Sequence, residues 1–499
     1  MSKGKRSLFV ALSAFALTLL NGVFGLIVTK LIITTYGSDF NGLNSTATQF
    51  VSMLMIIEGG FTLATNVALF KPLANNNQKE INQILSATKL IFRRLSLLFF
   101  IIGVISAIAY SFLIKSNLAW EIIISTLLMT IVSTTFTLWY TTKYAILLKS
   151  EQKDYILNII NIGTVLLSQS LIIVFILLEE HMLLVRFITM VGTIITGLIV
   201  GIYTKRNYRF ITFNSTPRYE AIKGTKDVFI QKLTSMVYGA MPIIVISASV
   251  GTLHASLYAI YNNVFILLKT MIYAFINAPS MGLGKLIAEK ENNYVFKIFT
   301  IYEHIVNNIL LTILTTATVL VLPFIKIYTL GVNDIEYVNW KIALLFVFIT
   351  FFEIIHIPSG HIINMSGRFK VAKKIQMTSF IILVILMTIG NVLFSLYGIL
   401  IAVMLTAILL ALLEIGYVHK VYFKSFKTNY FKLLIPGILL SALLIYIETI
   451  LLPPIQSYIG FFLIGTLLIV INAISFITFN LLIHKEITLE VIKRIRRIR

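Results

Sequence analysis

Of the 499 residues, 58% are hydrophobic and only 12% are charged. That is roughly half the charge density of a soluble domain, about 25%, so a soluble globular fold is excluded. Cysteine is absent, which excludes a disulfide framework, a thiol nucleophile and a thiolate metal site. The formal net charge of +21 invites a nucleic-acid reading, which the placement of the charges removes.

Apolar runs long enough to cross a hydrocarbon core of about 30 Å recur along the whole chain. The first follows the basic Met1–Arg6 and continues from Leu8 to Thr34 with no small-residue cleavage site, so it reads as a retained span rather than a signal peptide. In chain order the predicted spans are 8–34, 45–70, 95–114, 119–142, 155–178, 182–203, 228–250, 254–284, 298–322, 340–364, 376–395, 398–418, 433–452 and 458–483. The runs are continuous rather than alternating, which selects helices over a barrel. The expected fold is all-α and polytopic, with about fourteen membrane helices. A six-helix bundle at 1–204 is followed by a linker loop at 205–227, a second six-helix bundle at 228–419, and helices thirteen and fourteen with a basic tail at 420–499.

Alternate loops carry nearly all of the 41 Lys and Arg residues. The exceptions are Lys115, Lys326 and Lys341 on the opposite side, and Lys30, Arg186 and Lys269 within spans. Short loops rich in Lys and Arg stay in the cytoplasm, so both termini are expected there. The basic excess is therefore a topology signal, with contact to anionic lipid headgroups secondary and no nucleic-acid partner.

Displacing the chain by 214 positions pairs the first span with the seventh and the second with the eighth. The window 25–84 then shows ungapped identities that include Gly25/Gly239, Ile32/Ile246, Gly37/Gly251, Phe61/Phe275 and Lys71/Lys285. The offset preserves in/out orientation, so it predicts two parallel, pseudo-symmetric repeats; the alternative is that apolar helices align with anything.

No G-x-x-x-x-G-K-[ST] and no H-E-x-x-H occurs. The longest external loop, about Pro323–Asn339, is too short to arrange the acid, base and sugar sites of a membrane glycosyltransferase or polymerase. These features predict a conduit: no enzyme, no cofactor and no metal.

Charges inside the membrane cost at least about 2.5–3.5 kcal/mol and need a partner or a wet cavity. At 100° per residue, Lys269 shares a stripe with Tyr258, Asn262, Tyr273 and Ser280, and Glu58 shares one with Asn44, Thr62 and Thr65. The functional reading is a central cavity in which Lys269 meets an anionic group while Glu58 sets its charge state or holds a coupling cation. The structural reading is a buried ion pair that fixes helix register. Lys30 is either a cavity residue or an interfacial lysine that snorkels. Arg186 has Glu179 two turns away, which favours a local ion pair over a place in the cavity. Glu353 precedes His356 by three residues and is a candidate cavity or coupling acid, with imidazole titrating near neutrality, or else a polar contact between helices. Gly25 in helix one, and Gly239 and Pro242 in helix seven, are candidate hinges, because proline removes a backbone bond and kinks helices. Gln231, Thr234, Ser235 and Tyr238 form a further polar stripe on helix seven.

The stretch Tyr36-Gly37-Ser38-Asp39-Phe40-Asn41-Gly42-Leu43-Asn44, the element Glu58-Gly59-Gly60 and the segment Phe70-Lys71-Pro72-Leu73-Ala74 resemble the Wzx-type polysaccharide flippases. These belong to the multidrug/oligosaccharidyl-lipid/polysaccharide exporter (MOP) superfamily. The motifs cover about forty residues, and the span count extends the likeness along the chain. The resemblance implies a flippase that moves an undecaprenyl-pyrophosphate-linked oligosaccharide from the inner to the outer leaflet of the bacterial cytoplasmic membrane by alternating access. Its partners would be the lipid-linked oligosaccharide, membrane lipids, and the polymerase and glycosyltransferases of surface-polysaccharide assembly. It further implies that cationic cavity residues, Lys269 foremost, receive the pyrophosphate, and that helices thirteen and fourteen flank a groove for the isoprenoid tail.

A lipid II flippase of the same superfamily shares tail and pyrophosphate and stays open as an alternative. So does a cation-coupled multidrug exporter, although its cavity acids would outnumber bases. The fourteen-span facilitators carry G-x-x-x-D-R-x-G-R between helices two and three, where this chain reads from Lys71 to Glu80 without a match.

Overall fold

The computed structural model describes residues 3–498 apart from 59, 223–225, 278–279, 290 and 426–427. The long apolar runs form helices, as they must where lipid offers no partner for a free backbone group. Among the described residues eleven helices are long and apolar enough to cross a membrane, or twelve when a pair bent by 50° is taken as one span. Large apolar side chains lie on the outside, among them Phe15, Ile105, Phe462 and Leu482, the reverse of a soluble protein and the surface that lipid requires. The chain is a multi-pass helical membrane protein.

It divides into two compact units, Met1–Ala259 and Ile260–Arg499. In the first, α1 (Lys3–Thr35) packs along α7 (Asp154–Leu177), which packs on α8 (Leu183–Asn207). Helix α8 meets α5 (Trp120–Phe136), and α5 meets α4 (Gln78–Ser111). The bent pair is α2 (Gly37–Leu54), extended by a short turn to Glu58, and α3 (Phe61–Ala74). Between them Gly60 takes a left-handed φ of 79°, a conformation that glycine adopts without steric cost. Helix α3 lies against α6 (Thr142–Ser150), and α2 against α9 (Lys226–Ser249). The core contains Phe40, Leu43, Phe92 and Phe99, all fully buried.

The second unit is built on α12 (Asn292–Tyr328), which contacts α13 (Trp340–Ile355), α16 (Thr428–Leu451) and α17 (Tyr458–Ile483). Before it come α10 (Thr252–Asn277), whose first turns belong to the first unit, and α11 (Ser280–Glu289). After α13 come α14 (Ile357–Met365) and α15 (Phe369–Tyr417); the short amphipathic α18 (Lys485–Ile498) follows α17. Asn77, Asn339 and Ser457 cap α4, α13 and α17 by accepting backbone N–H bonds.

Helix α15 is not one rod. Ser395 has φ 49° and ψ −127°, and the backbones of Gly390 and Gly398 are in contact, so that a methyl on either would overlap the other. Eight residues of continuous helix would hold them about 12 Å apart. The chain therefore reverses at Ser395, between the runs at 376–395 and 398–418 that the sequence separates.

Helix boundaries recur at an offset of 214 or 215. Helix α1 ends at Thr35 and α9 at Ser249, and α4 begins at Gln78 and α12 at Asn292, both 214 apart; α7 begins at Asp154 and α15 at Phe369, 215 apart. The turns between the first two helices of each set, at Gly37 (φ 84°) and Gly251 (φ 132°), are both left-handed.

The loop after α8 is fastened rather than free. Asn82 donates to the Phe210 carbonyl at 2.9 Å and accepts from Thr212 N–H at 3.0 Å, while Arg218 pairs with Glu80 at 2.6 Å. Tyr208 donates to Glu151 at 2.5 Å and accepts from Lys153 at 2.7 Å. Burial, and then the Glu151 carboxylate, push its phenol well above the usual range, so it remains a donor.

Candidate functional site

In the second unit, α10 and α13 bring Lys269 Nζ to 3.0 Å from Glu353 Oε2, with both side chains largely sheltered. Tyr273, one turn along α10, is close enough to Glu353 to feel its charge. Asn262 is half-buried on the same helix. Of the two alternatives for Glu353 and His356, a joint site or polar contacts between helices, the geometry has the contacts: Glu353 faces Lys269, and His356 Nδ1 lies 2.8 Å from Glu414 Oε2. The physical reason is the helix break at His356, where α13 ends and α14 begins, which turns the imidazole away from the preceding turn. Gly360 permits that pair, since a methyl there would stand 2.8 Å from Glu414 Oε2. A third acid–base pair, Glu303 and His419 at 3.0 Å, is almost fully enclosed between α12 and the turn after α15.

In the first unit Glu58 is buried and accepts from Thr62 N–H at 2.7 Å. It thereby caps α3 across the Gly60 break, satisfying one of the N–H groups that a helix start leaves open. The expected ion pair between Arg186 and Glu179 is absent. Glu179 lies past the end of α7 with a positive φ and is exposed, whereas the Arg186 guanidinium is buried and donates to the Asn44 carbonyl and, at 2.7 Å, to Thr48 Oγ1. Its Nε has no hydrogen-bond partner, and among the described residues Arg186 makes no ion pair. Lys30 is half-buried near the end of α1, and Tyr258 is buried. Gly25 and Gly239 each have open space where a Cβ would stand, and Pro242 sits inside α9. The side chains of Ser280 and Gln231, and the whole of Gly59, lie outside the described residues.

A set of ties that sequence reasoning missed gathers at one end of the first unit. Asp39 accepts from Thr252 Oγ1, from Ser116 Oγ at 3.1 Å and from Asn117 N–H at 2.8 Å. Asn41 donates to Ser256 Oγ at 2.7 Å, and Lys115 donates to the Ser249 carbonyl at 2.6 Å. Gly42 lets α2 come so close to the Thr252 carbonyl that any Cβ would overlap it. Asp39 and Lys115 each bring a charge to these ties, which strengthens their hydrogen bonds, whereas the Asn41–Ser256 bond joins two neutral groups and is individually modest.

Two cavities bear on function. In the second unit a groove of about 370 Å³ runs between α10, α12, α17 and α18. Phe275, Ile305, Ile309, Ile313, Phe476 and Ile477 make it apolar, with His304, Asn308 and Asn480 at its polar edge. In the first unit a slot of about 460 Å³ lies between α6, α7, α8 and the turn that follows α5, and it is lined chiefly by threonine, asparagine and other neutral polar side chains. Its wall includes a π-helical turn at Thr137–Thr141, the kind of irregularity that clusters at functional sites. Its sequence signal is Asp154, Asn158, Asn161 and Ser168 at helical spacing in an otherwise apolar span. Among the described residues no group of three or more His, Asp or Glu side chains could hold a metal ion.

No protein-family model and no curated protein matches the chain. Solved structures do. The lipid II flippase MurJ, in an inward closed conformation, aligns with a TM-score of 0.65 over 96% of this chain and 99% of its own, at 14% identity. An inward-facing multidrug-resistance transporter of the MATE family in the MOP superfamily aligns with a TM-score of 0.60, covering 85% and 95% at 10% identity. The chain has their fold. The MATE multidrug transporter DinF-BH, solved in complex with R6G, aligns at 0.53 over 84% and 96%, at 16% identity. The three are a flippase and two multidrug transporters.

Proposed function

We propose that the chain carries a polyprenyl-pyrophosphate-linked saccharide from the cytoplasmic to the external leaflet of the bacterial inner membrane by alternating access. The observation that carries this reading is the likeness to a lipid II flippase over nearly the whole of both chains. The multidrug relatives leave 15–16% of the chain unmatched, a length comparable with residues 420–499. That segment supplies α16, α17 and α18, and α17 and α18 help to wall the apolar groove. A lipid-linked cargo needs such a surface for its tail; a small soluble drug does not.

Lipid II itself is the cargo favoured by the structural likeness, and a surface-polysaccharide repeat unit is the cargo favoured by the Y-G…G-L-N and K-P-L-A motifs. Export of a cationic drug has less support, because Lys269 occupies the sheltered acid Glu353. In this reading Lys269, with Asn262 and Tyr273, is the proposed pyrophosphate site of the second unit, and Glu353 sets its charge. In the first unit Arg186 is the proposed anion site, Lys30 and Tyr258 are further candidates, Glu58 is the candidate acid, and Gly25, Gly239 and Pro242 let helices bend. Fourteen crossings are supported by the reversal at Ser395, which makes two spans of α15, and by the apolar length Leu233–Ser249 of α9. The recurrence of boundaries at 214 or 215 supports six-helix bundles at 1–204 and 228–419, joined by 205–227. An even count with basic alternate loops puts both termini in the cytoplasm.

The test is reconstitution into vesicles holding lipid II, an undecaprenyl-pyrophosphate oligosaccharide, or rhodamine 6G. Protein-dependent exposure of either lipid-linked saccharide at the opposite leaflet is expected, and the faster of the two names the cargo. Dye efflux without lipid movement would replace this reading with a multidrug exporter.

A further inference from the structure

The polar slot of the first unit has no part in the reading above. Its lining is unusual for an intramembrane cavity: Asn158, Asn161, Ser168 and Gln169 from α7, and Thr193 and Thr196 from α8. Ionic groups stand only at one end, where Lys149 and Asp154 flank the mouth. From Asp154 to Gln169 the α7 wall runs about 22 Å, much of the depth of a hydrocarbon core of about 30 Å. Unsatisfied polar groups at such depth are costly, so the slot holds water or a polar ligand.

The hydrogen bonds indicate which kind of ligand. Thr193 donates to the Thr189 carbonyl at 2.9 Å, and the one hydroxyl proton of Thr196 has the Gly192 carbonyl and Thr164 Oγ1 as acceptors, each at 2.8 Å. Asn161 donates to the Leu157 carbonyl at 2.9 Å and Asn158 to Ser13 Oγ at 3.0 Å. With these donors spent inside the protein, the wall has mainly acceptor lone pairs to offer a ligand. Gln169 bonds to none of the described residues, and the buried Thr141 hydroxyl has no partner. An acceptor-rich, uncharged wall suits a ligand with many hydroxyl donors and no charge.

The internal repeat supplies an independent argument. Counted from the equivalent helix starts at Asp154 and Phe369, an offset of 215, Asn158 and Asn161 correspond to Lys373 and Gln376, and Ser168, Gln169, Thr193 and Thr196 to Leu383, Val384, Ile408 and Ala411. The deeper four positions are therefore apolar in the second unit, and folding the repeat does not require that part of the polar stripe.

We propose that the slot between α6, α7, α8 and the π-helical turn at Thr137–Thr141 binds the saccharide of the lipid-linked cargo, recognising neutral sugar hydroxyls. Cation sites elsewhere take the pyrophosphate. The proposal rests on the flippase reading, and its mouth at Lys149 and Asp154 lies on the side assigned to the cytoplasm, where cargo would load.

Because the chain has no cysteine, Ser168→Cys introduces a single thiol into the slot with little change in size. The experiment follows its modification by a water-soluble methanethiosulfonate reagent. The two probes are undecaprenyl pyrophosphate bearing a disaccharide and undecaprenyl pyrophosphate alone, with binding of each to the whole protein measured by native mass spectrometry. The disaccharide lipid is expected to slow modification at least about tenfold, and the sugar-free lipid to leave it unchanged. Thr193→Val, nearly isosteric, is expected to weaken binding of the disaccharide lipid about tenfold while the sugar-free lipid binds as before. If both lipids bind but neither protects the thiol, or both protect it equally, the slot is not the sugar site and the flippase reading survives. If neither lipid binds, the flippase reading fails and this proposal falls with it.

Discussion

Lys269 on α10 and Glu353 on α13 hold their charges 3.0 Å apart, each side chain with under one-fifth of its surface exposed. Neither charge is easily lost alone, because removing one partner of a sheltered pair strands the other. Lys269→Ala is expected to lower stability by about 3 kcal/mol, read from thermal unfolding in detergent. Adding Glu353→Gln should restore most of that stability but none of the lipid translocation. If the double variant flips lipid normally, the pair serves only to join the two helices.

Arg186 places a guanidinium against a backbone carbonyl and a hydroxyl of α2 without a carboxylate. Such a charge is expensive as a purely structural device, since an apolar replacement of similar length is often neutral or stabilising. Arg186→Met is therefore expected to fold with stability within about 1 kcal/mol of the parent and to lose most translocation. Parental translocation rates in reconstituted vesicles would reduce Arg186 to a tie between α8 and α2.

The close approach of α2 to Thr252 depends on the missing side chain at Gly42. Gly42→Val should force that end of the first unit apart and bias it toward its separated form by about 1.4 kcal/mol or more, a tenfold population shift. A thiol placed by Ser256→Cys, now buried beside Asn41, should react with a water-soluble reagent about ten times faster in the Gly42→Val background. An unchanged rate would mean that the ties through Asp39 and Asn41 hold without the glycine.

Gly390 and Gly398 touch backbone to backbone, while Gly25 has nothing within reach of an added methyl. Gly398→Ala is expected to destabilise by more than about 3 kcal/mol, as a severe overpacking does. Gly25→Ala should leave stability unchanged or raise it by up to about 1 kcal/mol, and should slow translocation if α1 bends there. Comparison of the two unfolding temperatures checks the first claim, and a flipping assay on Gly25→Ala checks the second.

Hydropathy alone marked an all-α polytopic chain, because in a membrane the backbone must close its own hydrogen bonds wherever the side chains are apolar, but it took 45–70 as one span where α2 and α3 meet at a 50° bend. The separation of 376–395 from 398–418 rested on no more than a weak polar interruption, and the reversal falls at its edge, at Ser395. Charge partners were a different matter. Face analysis showed that Lys269 points along a polar stripe but could not select Glu353, which lies 84 positions away and is brought near only by the packing of α10 on its neighbours. Arg186 misled for a related reason: proximity in sequence to Glu179 counted for less than the burial that turned the guanidinium toward α2. The span 340–364 treats His356 as continuous with Glu353, although Pro358 in the first turn of α14 announces the break, since a proline ring clashes with the carbonyl four residues before it. The polar slot was legible in principle, as a helical stripe of amides and hydroxyls on α7, but its charges are too few for a search that followed charges.

The reversal at Ser395 spends a single residue, and the two arms of α15 are in backbone contact immediately beside it. A connection that short has no slack, so the arms behave mechanically like the two legs of a staple: one cannot slide past the other or tilt without dragging its twin. Whatever motion the second unit undergoes during a transport cycle must treat them as one body and find its give elsewhere, most readily at the joint between α13 and α14 where His356 grips Glu414.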